Sequence, residues 1–95
     1  MGGDWKAMFY ACEKGDLPLV EYYIKEGIDP NYQHPEFLTS PLIETVRGGH
    51  VEVAEFLLKN GADPHVKAVW GGETALDVAK IYRHKKLVKL LQAYQ

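Results

Sequence analysis

The chain has a single cysteine, Cys12, among its 95 residues, so no intramolecular disulfide can form. That usage fits a reducing compartment and leaves packing to hold the fold. Long hydrophobic runs are also missing. The longest, Ala7 to Cys12, has six residues, against roughly 18 to 20 for a spanning helix. The first residues, Met-Gly-Gly-Asp-Trp, lack the basic region and apolar stretch of a secretory signal, which makes the cytoplasm the expected location. Neither charge dominates: 11 basic against 13 acidic side chains give −2. Such a balance gives no support to whole-chain attraction to nucleic acid or to an anionic membrane. There is no G-x-S-x-G, no phosphate-cradling G-x-x-x-x-G-K and no G-x-G-x-x-G, so the common nucleophile and nucleotide signatures are absent.

What is there is a repeat. At 46% hydrophobic and 25% charged, the composition is that of one globular domain spanning residues 1–95. Shifting the chain by 34 residues lays GDLPLVEYYIKEGIDPN (15–31) on GHVEVAEFLLKNGADPH (49–65), with six of 17 pairs identical. A second shift carries Ser40, Leu42, His50 and Leu57 onto Thr74, Leu76, His84 and Leu91. A fixed period in this range marks stacked supersecondary units. There are three, over approximately 5–31, 40–65 and 74–95.

Each unit reads as two short helices. Met8, Ala11 and Cys12, with their equivalents Leu42, Thr45 and Val46, follow helical spacing along a first helix. Leu19, Val20, Tyr23 and Ile24, or Val53, Ala54, Leu57 and Leu58, mark a second. Gly15 and Gly49 stand where a left-handed residue would end the first helix, and Asp16 is placed to cap the second. Pro18 falls in that helix's first turn, where its missing N–H is harmless. None of these helices is long enough to be stable alone in water.

Ser40-Pro41-Leu42-Ile43-Glu44-Thr45-Val46, then Gly49-His50, then Glu55-Phe56-Leu57-Leu58-Lys59-Asn60-Gly61-Ala62-Asp63-Pro64 resembles an ankyrin repeat. The pattern of that family opens T-P-L-H-x-A and runs on through G-H to L-L and G-A-D. Units one and three match more loosely. The resemblance implies an all-α solenoid of three helix-turn-helix pairs with two β-hairpin fingers, at 32–39 and 66–73. Some positions depart from the pattern. Lys6-Ala7 replaces Thr-Pro, Ile43 replaces the histidine, and Thr45 replaces an alanine. Arg83 stands where the helix-breaking glycine belongs; either it adopts a left-handed conformation at about 1 to 2 kcal/mol, or the last turn is remodelled. The period of 34 instead of 33 lengthens both fingers by one residue. In length the chain reads as three complete helix pairs and two fingers, as expected of an intact small module.

Candidate chemistry is sparse. His50 and His84 occupy equivalent repeat positions, and His34 and His65 fall in the excursions, without the i, i+4 or C-x-x-C spacing of a zinc site. His50 is expected to bond backbone at a helix junction. Cys12 sits where the family has a small buried alanine, so it reads as core. Asp29 and Asp63 repeat with the period, as turn-holding residues do, and each is expected to bond backbone two residues on. No metal, cofactor or catalytic residue is expected, and the chain does not read as an enzyme. Charge is uneven: residues 1–48 hold 4 basic and 8 acidic side chains, and residues 49–95 hold 7 and 5. The five bases from Lys80 to Lys89, with no acid after Val78, read first as a solvated terminal face.

In the family this sequence resembles, fingers and first helices form a concave surface that binds other proteins. That implies a set of contact residues: Tyr32, His34, Phe37 and Thr39 in the first finger, and Trp70 and Glu73 in the second. On the first helices it selects Tyr10, Glu13, Lys14, Glu44, Arg47 and Tyr82. Large aromatics near loop tips suit a binding role, although Phe37 and Trp70 could instead fold back over helix ends. The function implied is non-catalytic protein binding, with a small inhibitor or immunity-type protein as the alternative. The expected partner is another protein, not nucleic acid or membrane, and the unbound chain is expected to be a monomer.

Overall fold

The structure is a computed structural model that describes residues 4–33, 37, 39–69 and 71–95. Six helices follow in order: α1 (Asp4–Lys14), α2 (Leu17–Lys25), α3 (Pro41–Arg47), α4 (Val51–Lys59), α5 (Ala75–Ile81) and α6 (Lys85–Ala93). They form three pairs, α1–α2, α3–α4 and α5–α6. The first helices pack side by side as one row, α1 on α3 and α3 on α5, and the second helices form another, α2 on α4 and α4 on α6.

Local chemistry fixes where α2, α3 and α5 start. The Asp16 side chain accepts from Leu19 N–H at 3.3 Å and Ser40 Oγ accepts from Ile43 N–H at 3.1 Å. Thr74 and Asp77 form a reciprocal capping box. Pro18 and Pro41 lie in first turns, where no hydrogen bond is lost. The buried stripe of each helix faces the next unit: Met8, Cys12, Leu42, Val46, Val53, Leu57, Val78, Leu87 and Leu91 belong to one continuous core. Thr45, polar and fully buried, donates its hydroxyl to the Pro41 carbonyl at 2.8 Å. That back-bond explains why a threonine is tolerated in an alanine's place.

Units are also tied through backbone. The ring of His50 lies against Gly15 and Gly48, and its Nε2 is 2.8 Å from the carbonyl of Glu13 in the last turn of α1. A carbonyl only accepts, so Nε2 carries the proton and donates. His84 repeats the arrangement one unit on, 3.5 Å from the Arg47 carbonyl. Each junction histidine thus serves a carbonyl that its helix leaves without an internal partner. Asn31 makes a second tie: its Nδ2 donates to the Gly61 carbonyl at 2.9 Å and its Oδ1 accepts from Asp63 N–H at 2.7 Å. Asp29 and Asp63 hold their own turns, accepting from Asn31 N–H and His65 N–H at 2.8 Å.

Two expectations are resolved differently. The last junction is not remodelled: Arg83 takes the left-handed conformation at φ 59°, where Gly15 and Gly49 have φ 78°. The β-hairpin fingers are not supported: among the described residues there is no strand. The second excursion closes as a tight turn, Ala68 N–H to the Glu73 carbonyl at 2.8 Å and Gly72 N–H to the Ala68 carbonyl at 2.9 Å. An isolated two-stranded hairpin is marginal in water. Among the described residues the hydrogen bond between the excursions runs from a side chain to backbone, Gln33 Nε2 to the Lys67 carbonyl at 3.3 Å.

Two stability measurements follow. Leu57 is 0% exposed, so Leu57→Ala should lower the unfolding free energy by about 2 to 5 kcal/mol in urea titration. Arg83→Gly removes the left-handed penalty and should raise stability by about 1 kcal/mol.

Candidate functional site: a cleft between the first two units

The C-terminal halves of α1 and α3 and the end of the first excursion meet around an open cleft of ≈ 340 Å³. Phe9, Tyr10, Glu13, Phe37, Thr39, Glu44 and Arg47 line it. One wall is aromatic. Phe37 folds back on α1, with ring centroids 4.5 Å from Phe9, 5.2 Å from Trp5 and 6.0 Å from Tyr10. Lys6 Nζ stands 5.9 Å from the Phe37 centroid, at the outer limit of a cation–π contact. Phe9 is buried and Tyr10 is 44% exposed.

The other wall is charged and held in place. Glu44 Oε2 accepts from Thr39 Oγ1 and from Arg47 Nε, each at 3.2 Å. Arg47 Nη1 donates to Tyr82 Oη at 3.4 Å, which links unit two to unit three. Burial works against the Arg47 charge, but Tyr82 and Glu44 outweigh it and hold the guanidinium above its ordinary pKa. Its side chain remains 41% exposed, so an oriented cation is presented at the cleft rim. An orientation fixed beforehand reduces the entropy lost when a partner docks.

Of the residues expected from sequence, Tyr10, Glu13, Phe37, Thr39, Glu44 and Arg47 come together here, with Tyr82 adjoining through Arg47. Thr39 and Glu44 are buried and act as framework for Arg47. Lys14 is exposed at the end of α1 and does not line the cleft. Tyr32 lies apart, its ring 5.8 Å from Trp5, beside a smaller cleft with Gly27, Ile28 and Asp29. Glu73 belongs to the second excursion's turn, away from this cleft. His34 and Trp70 lie outside the described residues. Sequence reasoning missed Phe9 and Trp5, although their i, i+4 spacing on one helix was a usable signal. It also missed Asn31, a polar loop residue whose partners lie 30 and 32 positions away.

Cys12 is 0% exposed and lies in the core beneath this site. Burial pushes its thiol up to about 11, with a hydrogen bond to Thr45 working in the opposite direction. Thiolate is therefore scarce near neutrality, and the residue is poorly suited to nucleophilic work. Among the described residues no group of three or more His, Cys, Asp or Glu side chains could hold a metal ion. No described helix is long and apolar enough to cross a membrane.

Paired antiparallel helices stacked in register, each tied to the next through a junction histidine or a loop asparagine, define a helical-repeat solenoid. A sequence model of ankyrin repeats, in three copies, matches residues 7–95, and the chain belongs to the ankyrin-repeat family. It is 34% identical over 62 residues, 65% of its length, to the mouse 2-5A-dependent ribonuclease. It is 34% identical over 74 residues, 78% of its length, to the ankyrin repeat and KH domain-containing protein mask-1 of Caenorhabditis elegans. To the ARF GTPase-activating protein Git of Drosophila melanogaster it is 36% identical over 70 residues, 73% of its length. The chain spans only 8%, 3% and 9% of those proteins, so the likeness is to their repeats alone. Ankyrin repeats are generally non-catalytic modules that mediate protein–protein interaction.

The thiol supplies a test with a defined sign. Because folding raises the Cys12 pKa from 9.0 to about 11, its contribution to stability is full below about 9 and is lost as pH rises toward about 11. Urea midpoints measured from pH 8 to 11 should fall more steeply for the native sequence than for Cys12→Ala. Equal slopes would contradict the assigned environment.

Proposed function

We propose that this protein is a non-catalytic binding module that docks a partner protein across the first-helix face, centred on the cleft between α1 and α3. The observation that carries the reading is the pairing of an exposed Tyr10 beside packed aromatics with an Arg47 already oriented by Glu44 and Tyr82. Tyrosine and arginine dominate binding hot spots, because each supplies a large contact surface together with directed polarity. An apolar or aromatic anchor on the partner would enter the cleft, and an acceptor group beside it would meet Arg47. Glu13 belongs to the cleft and Tyr82 adjoins it through Arg47; Lys14, Tyr32, His34, Trp70 and Glu73 stay in this reading as further expected contacts. The same reading keeps the cytoplasm as the location, where a lone reduced thiol is at home.

A second reading, a small inhibitor that blocks an enzyme's active site, uses the same cleft; a single tight, stoichiometric partner enzyme that loses activity on binding would favour it. Partners captured on the immobilised protein from its native cell distinguish face from face. Tyr10→Ala with Arg47→Ala should reduce capture at least tenfold, as loss of roughly 1.4 kcal/mol or more would do. Glu55→Ala, exposed on α4, should leave it unchanged. Retained capture by a folded double variant would defeat the assignment.

A further inference from the structure

The three units, compared position by position at the 34-residue offset, treat their two outer faces differently. Ile43, Val46, Ala54 and Leu58 of unit two are buried and apolar. The corresponding residues of unit three are Asp77, Lys80, Val88 and Gln92, three of them polar and exposed. Around half-buried Val88, the side chains of Lys80, Arg83, Lys85, Lys89 and Gln92 form an open groove of ≈ 480 Å³. Lysine stems are apolar along their length and charged only at the tip. Residues 80–92 carry five bases and no acid.

At the opposite end, unit one keeps apolar residues that the other described residues leave exposed. Leu19 corresponds to Val53 and Leu87, both buried, yet it is 37% exposed. Tyr23 corresponds to Leu57 and Leu91 and is half-buried, and Tyr22 beside it is 54% exposed. The two tyrosine rings pack edge to face at 5.2 Å. Residues 16–26 carry three acids, Asp16, Glu21 and Glu26, against one base, Lys25.

We propose that the basic end of one chain receives the acidic, aromatic end of a second copy, so that the protein stacks head to tail. The two ends complement each other in charge and in shape of need: an uncovered apolar face on α2, and on α6 a groove with an apolar floor ringed by cations. Tyr22 entering that groove lies along lysine stems, with ammonium groups over its ring. The contact continues the packing that already runs α2 on α4 on α6, with α2 of the next copy taking the following place. Because the two ends differ, the contact is heterologous, and each copy added leaves one free end of each kind for the next. The polar replacements Asp77, Lys80 and Gln92 make it weaker than the internal stack, so the chain is a monomer when dilute and associates when concentrated. This surface is separate from the cleft of the proposed function.

Sedimentation velocity decides it. At low salt the sedimentation coefficient should rise with concentration from micromolar upward, and the rise should vanish at high salt, where the charges are screened. Lys85→Glu with Lys89→Glu, and separately Tyr22→Glu, should each remain monomeric. Both sites are exposed, and an acid at Lys85 suits the first turn of α6; circular dichroism verifies folding. Mixed together, the two variants should form an equimolar dimer and nothing larger, since each retains one intact end. A native chain that is monomeric throughout, variants that still associate, or a mixture that does not pair would overturn the proposal. So would a monomeric chain that binds poly-L-glutamate through these lysines, which would assign the basic end to a foreign acidic partner.

Discussion

Everything in this fold depends on one unit lying against the next. Helices of 7 to 11 residues cannot hold themselves in water, since a helix that short does not recover the cost of its own nucleation. Each pair carries an apolar stripe that only a neighbour can cover. The stacking also settles backbone groups that the short helices leave open. His50 serves the Glu13 carbonyl, His84 that of Arg47, and Asn31 a carbonyl and an N–H of the following loop. These ties set the register that the apolar stripes alone would leave loose.

The proposed binding cleft inherits that dependence. Its aromatic wall belongs to α1 and the first excursion, its charged wall to α3, and one of the two residues that steady Arg47, Tyr82, belongs to unit three. No unit contains the site. A partner that fills the cleft therefore binds only the stacked form and adds its binding free energy to the stability of the whole array.

Much of this was legible in the sequence. The 34-residue offset gave the three units, and Gly15, Gly49 and Asp16 marked helix boundaries that the structure retains. Asp29 and Asp63 were readable as turn residues, and His50 as a junction residue, because each repeats or sits at a repeating boundary. The β-hairpins were not supported: a family pattern implies them, but no strand occurs among the described residues and the second excursion closes as a turn from Ala68 to Glu73. Arg83 stayed ambiguous because strain and remodelling leave the same sequence. The cleft was readable residue by residue but not as an arrangement. That Glu44 is buried and serves Arg47, or that Phe37 packs on Phe9, depends on contacts between units that no local pattern encodes.

The claim that stacking supplies the stability is tested most directly by the far-UV circular dichroism of a peptide covering residues 40–73, the second unit with its excursion. The account predicts an unfolded peptide with little helix and no cooperative thermal transition, alongside a full chain that unfolds in one transition. A peptide that folds cooperatively with the helix content of α3 and α4 would contradict it.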